Sequence, residues 1–131
     1  MNTSTISLSD LVKVDRRGRE FIAEVTARDS NGDLQLRPLQ RSTYYSARPR
    51  EVVAHYRAMG RPSSLAPVRT GDVLRVNIDG SETYCMVDGR MHKPPGRLHQ
   101  VPVTPLGQST SVPIAYADLR ERYRRLGRRR A

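Results

Sequence analysis

The chain has 131 residues, of which 37% are apolar, with one Phe, six Tyr and no Trp, so a core has to come from Val, Leu, Ile, Ala and tyrosine rings. A single cysteine, Cys85, excludes an intramolecular disulfide framework and fits a reducing compartment. The formal charge of +10 is concentrated at the C-terminus, where the last twelve residues hold seven arginines against one glutamate, a bias that points to polyanionic partners.

In chain order, residues 10–14 and 20–27 predict two strands of roughly alternating polarity joined by the turn-forming DRRG. A second turn over residues 29–33 contains Asn31-Gly32, a strong hairpin signal, and leads to a third strand over 33–39 that Pro38 ends. A helix is expected over 49–59, with Pro49 in its first turn, Glu51 at the positive end of its dipole and Gly60 just past its end. The Pro, Ser and Gly content of 62–70 reads as a linker. Strands are then expected over 72–77, 82–87 and 98–103, with a longer and more basic middle loop, DGRMHKPPGR, and a second helix over 116–126 ended by Gly127.

The plan is written twice. Residues 10–25 lie over 72–87 at an offset of 62, and 34–61 lie over 101–128 at an offset of 67, with 13 of 44 aligned pairs identical. Self-similarity of this kind changes the unit whose fold has to be explained. The fold class expected is therefore α+β, mainly β: a first module over 8–61, the linker 62–70, a second module over 71–128 and a basic tail at 129–131. Each module is a three-stranded antiparallel meander followed by one C-terminal helix. Units this short sit near the lower size limit for independent folding and would lean on each other. Both helices would turn the same stripe to the sheets, Val52, Tyr56 and Met59 in the first and Leu119, Tyr123 and Leu126 in the second.

The opening of the second copy, GDVLRVNIDGSETYCMV, with Gly71-Asp72 ahead of a strand and a glycine-bearing turn, resembles the SH3-like small barrels of the Tudor and KOW kind. The order of three strands and a helix is also similar to DNA-binding modules of the AP2 and integrase-arm kind. Such a resemblance implies a small β scaffold and no particular activity.

The residues offer little for catalysis. His55, His92, His99 and Cys85 have none of the paired spacings of a zinc site. Cys85 aligns with Ala23, which implies a small buried side chain rather than a nucleophile. Glu20 and Glu82 follow hairpin glycines, Asp10 and Asp72 open strands, and neither a P-loop nor GxGxxG occurs. The expectation is a protein that is not an enzyme and takes no metal and no cofactor. With no N-terminal apolar region and no run of membrane-spanning length, a cytoplasmic protein without membrane attachment is expected.

The function expected is that of a non-enzymatic nucleic-acid-binding accessory protein. Arg120, Arg124, Arg125, Arg128, Arg129 and Arg130 would contact phosphates, with Arg50, Arg57, Arg90, Lys93 and Arg97 adding to the surface. Tyr44, Tyr45 and Tyr116 could stack on bases or close the sheet. The alternative is a protein-interaction adaptor or inhibitor, encoded by a phage or mobile element, that docks on an acidic partner protein. The choice of DNA or RNA and the oligomeric state stay open at this level.

Overall fold

The structure, a computed structural model, describes residues 5–126. It divides into two compact units, the first running to Ala58 and including Arg125 and Leu126, the second spanning Met59–Arg124. No α-helix occurs among the described residues.

The first unit is built from β1 (Leu11–Arg16), β2 (Arg19–Arg28), β3 (Leu34–Pro38), the two-residue β4 (Ser46–Ala47) and β5 (Val52–Ala58). Its antiparallel order is β4-β3-β2-β1-β5. The β1–β2 hairpin turns on Arg17 and Gly18, at φ 55° and 84°. Positive φ at both central residues is the twist-matched geometry of a two-residue hairpin, and the Asp15 carboxylate braces it by accepting the Gly18 N–H at 2.9 Å. Inward positions of all five strands supply Val12, Val14, Ala23, Val25, Leu34, Leu36, Ala47 and Val52 to one core, to which Phe21 also belongs. Full burial of a single Val or Leu is worth about 1.5–3 kcal/mol, so even this small core offsets much of the ordering cost.

The second unit repeats the arrangement with β6 (Val73–Ile78), β7 (Ser81–Val87), β8 (Gln100–Pro105), β9 (Val112–Ala115) and β10 (Leu119–Arg125), in the order β10-β6-β7-β8-β9. Its first hairpin turns on Asp79 and Gly80, again at positive φ, 51° and 82°. The register matches pair by pair. Val14 faces Val52 and Tyr56 faces Leu11, as Val76 faces Leu119 and Tyr123 faces Val73, with a bulge at the same place in each ladder. Ala23 faces Pro38 as Cys85 faces Pro105. The strand starts agree too: Ser9 N–H donates to the Val25 carbonyl at 2.8 Å, and Gly71 N–H to that of Val87 at 3.0 Å.

The α+β expectation is corrected at both proposed helices. Residues 49–59 and 116–126 form a single 3₁₀ turn each, Pro49–Glu51 and Tyr116–Asp118, followed by β5 and β10. The start signals were real but serve one turn only. Glu51 accepts the Arg48 N–H at 2.8 Å, and Asp118 that of Ala115 at 3.1 Å. Beyond the turn, the i, i+4 spacing of Val52 and Tyr56 fits period two as well as 3.6, and the open edge of β1 offers a full ladder of partners. Met59, assigned to the helical stripe, is exposed. Within residues 62–70, read as a linker, Leu65 and Val68 are buried in the core of the second unit.

Candidate functional site

A cleft of about 720 Å³ lies on the first unit at the β1–β2 hairpin, the start of β4 and the 3₁₀ turn Pro49–Glu51. Four arginines, Arg16, Arg17, Arg48 and Arg50, line it against two carboxylates, those of Asp33 and Glu51. Arg16 is committed to the fold. Its guanidinium forks onto Glu51, with Nε to Oε2 and Nη2 to Oε1 both at 2.9 Å, donates to the Ser46 carbonyl at 2.8 Å, and lies 4.4 Å from the centre of the Tyr44 ring. The Arg16 hydrogen bond holds the Glu51 carboxyl below the usual carboxylate range, against the opposing effect of burial. The other three arginines are exposed, and their guanidinium groups make no hydrogen bond or ion pair with another described residue. The cleft therefore presents cations whose pairing is unfinished, on a frame fixed by the fourth.

The tyrosines differ in what they have left to offer. Tyr44 is stacked with Phe21 at a centroid distance of 5.9 Å as well as with Arg16. Tyr116 carries the Arg61 guanidinium 3.9 Å over its ring and donates its hydroxyl to the Pro62 carbonyl at 2.6 Å. Tyr45, which stands in sequence between the cleft residues Tyr44 and Ser46 and is 64% exposed, keeps a ring open to a ligand.

Two buried carboxylates went unread in the sequence as charge sites. Asp10, 2% exposed, accepts the backbone N–H groups of Ser7 at 2.9 Å and Ala58 at 3.0 Å, and its Oδ2 lies 2.6 Å from His55 Nε2. At the equivalent place, Asp72 accepts the Arg69 N–H at 2.9 Å and two bonds from Arg124, at 3.1 and 3.3 Å. Arg122 is buried nearby and donates to the Pro67 carbonyl at 3.1 Å. Burial, reinforced by Arg124, lowers the affinity of Arg122 for its proton. Asp10, His55 and Asp72 are enclosed and internally bonded, whereas the buried Nε of Arg122 has no hydrogen-bond partner among the described residues. Cys85 is fully buried, and burial pushes its thiol up to about 11, far from thiolate chemistry at neutral pH.

Among the expected nucleic-acid contacts, Arg50 lies in the cleft of the first unit, where Arg57 is also exposed on β5. In the second unit Arg90, Lys93 and Arg97 are exposed between β7 and β8. Arg120 is exposed, with Nη1 donating to the Ala117 carbonyl at 2.6 Å. Arg125 is exposed, whereas Arg124 is half-buried in its pair with Asp72. Arg128, Arg129 and Arg130 lie outside the described residues. Arg16, Arg17 and Arg48 were not among the residues expected from the sequence. The only signal for them was a pair of cationic turns, DRRG and ARPRE, some thirty residues apart.

Among the described residues no three His, Cys, Asp or Glu side chains are grouped to hold a metal ion, and no helix is long and apolar enough to cross a membrane. No family model, curated protein or solved structure matches the chain.

Proposed function

We propose that this chain is a non-enzymatic, cytoplasmic nucleic-acid-binding accessory protein that grips phosphates through the arginine cleft of its first unit. The observation that carries the reading is the trio of exposed guanidinium groups, Arg17, Arg48 and Arg50, around one concavity; they make no hydrogen bond to a described residue, and Arg48 is only electrostatically coupled to Glu51. Guanidinium forks match phosphate oxygens bidentately, so a phosphodiester would complete the pairing that the fold leaves unfinished. Tyr45 can stack on an exposed base next to those phosphates. Arg57 and Arg125, and in the second unit Arg90, Lys93, Arg97 and Arg120, extend the cationic surface. Cationic groups on both units of one chain make a second engagement intramolecular, which raises apparent affinity without new chemistry. The protonated thiol of Cys85 and the enclosure of Asp10 and His55 both support a role without catalysis.

Titration of labelled 20-mer oligonucleotides, single- and double-stranded, over a series of salt concentrations tests the proposal. Wild type should bind at micromolar concentration or better in low salt and weaken steeply as salt rises. Combined replacement Arg17→Ala, Arg48→Ala and Arg50→Ala should reduce the log–log salt slope on duplex by up to about 2.7, roughly 0.9 for each phosphate no longer neutralised. The tail set Arg125→Ala, Arg128→Ala, Arg129→Ala and Arg130→Ala should lower affinity across all sequences alike. An unchanged slope in the cleft variant, or wild-type binding indifferent to salt, would overturn the reading.

A further inference from the structure

The second unit carries a surface of a different character. An open hollow of about 380 Å³ lies between residues 63–65, the loop between β7 and β8, and the 3₁₀ turn Tyr116–Asp118. Its wall is apolar: Leu65 is part of the core, Met91 and Tyr116 pack against that core, and Leu98 stands at the rim with 76% of its surface exposed. A leucine exposed singly needs no explanation, but a largely exposed leucine at the rim of a ready-made apolar hollow marks a binding surface. None of the lining residues is acidic.

The surroundings are cationic. Arg61 lies over the Tyr116 ring at 3.9 Å and donates to its hydroxyl at 2.8 Å, while Arg120 donates to the carbonyl of Ala117, itself part of the lining. Arg97 immediately precedes Leu98, and Lys93 belongs to the same loop. That loop is held in shape at its base by paired hydrogen bonds between His92 and Gln100, at 2.8 and 2.7 Å, and by a turn closed from Arg97 N–H to the Pro94 carbonyl at 3.1 Å. The hollow is thus preformed, which removes part of the ordering cost of binding.

We infer that this hollow docks an acidic peptide segment of a partner protein, with one aliphatic or aromatic side chain as its anchor. The anchor would enter between Leu65, Met91 and Leu98, and flanking carboxylates would face Arg61, Arg97 and Arg120. A nucleic-acid strand fits this place poorly: the Tyr116 ring is already taken by Arg61, and a phosphate gains nothing from an aliphatic wall. A second copy of the chain is disfavoured by its own charge of +10. The hollow shares no lining residue with the cleft of the first unit, so peptide docking stands apart from phosphate binding in that cleft, and Arg97 and Arg120 are the cations that the two readings share.

Synthetic 12-residue peptides test it by fluorescence anisotropy at near-physiological salt. One set places Leu or Phe between glutamates; a second replaces that anchor by Ser; a third keeps the anchor between lysines. The anchored acidic peptides should bind, loss of the anchor should weaken binding about tenfold or more, as for an interface hot spot, and lysine flanks should abolish it. Leu98→Ser, at an exposed position that folding does not require, should weaken the anchored acidic peptide about tenfold while oligonucleotide affinity stays within about twofold. Equal binding of the Ser peptides, no binding of the anchored acidic ones, or full binding by Leu98→Ser would each overturn the inference. The arginine-cleft variant leaves this peptide affinity unchanged, so the nucleic-acid reading fails or stands on its own titration.

Discussion

Asp10 and Asp72 occupy matched positions, and each takes a cationic or ring-nitrogen partner from the last strand segment of its copy, 45 and 52 residues on. Both also accept the backbone N–H three residues earlier, at 2.9 Å. Removing one partner of such a pair leaves the other uncompensated, which costs far more than the pair itself contributes. Asp72→Asn should therefore destabilise by about 3 kcal/mol in denaturant unfolding, the low end for a buried pair because Arg124 keeps some solvent contact. A loss under about 1 kcal/mol would assign Asp72 a capping role alone. Glu51 has a double duty, pairing with Arg16 and capping Arg48. Glu51→Gln should cost about 1–2 kcal/mol and release Arg16 from its place over Tyr44. None of these partnerships could be read locally, since a charged residue at a strand start looks alike whether it meets solvent or a buried cation.

Elements show why strands were legible and their closing segments were not. The six strands first expected, three per copy, are present because alternation and β-branched residues act over neighbours along the chain. The hairpin glycines can be tested directly. Gly18 and Gly80 sit at φ 84° and 82° with open space where a side chain would point, so only backbone strain opposes a substitution. Gly18→Ala and Gly80→Ala should each cost about 1–2 kcal/mol, alike within experimental error, and unequal values would show that the two hairpins carry different loads. At 49–59, by contrast, the local signals conflicted. Pro49 and Glu51 do start a helix-like turn, but Val52 and Val53 are β-branched and β1 presents an unpaired edge. The edge decides, because ladder partners satisfy backbone groups and bury Val52 and Tyr56 at once. β4 escaped notice because two residues carry no period.

For the molecule as a whole, titration behaviour follows from where ionisable groups are enclosed. Glu51, held low by Arg16, contributes stability that is present above its unfolded value and is lost as pH falls through its lowered folded value. Cys85 acts on the other side: below 9.0 it is protonated in both states, and between 9.0 and about 11 only the unfolded chain releases the proton. Stability should therefore fall as pH rises through that window, by on the order of 2–3 kcal/mol at its upper end. Buried Tyr56 and Tyr123, both pushed up by desolvation, extend the loss to higher pH. Cys85→Ala, which installs the residue that the first copy carries as Ala23, should keep the fold and flatten this alkaline limb in unfolding curves. An unaltered limb would show that the thiol is not its source. At the same scale, the doubling, the first hairpin of each copy and the cationic excess were all determined by the sequence itself, because identity at a fixed offset, turn chemistry and charge need no knowledge of distant neighbours. Only the tertiary structure decided that the last segment of each copy is a strand, that Arg16 and Arg17 meet Arg48 and Arg50 across one cleft, and that Leu98 stands beside an apolar hollow. Those outcomes depend on which edges and side chains the chain brings together from afar, and a pattern read along the backbone holds no record of that encounter.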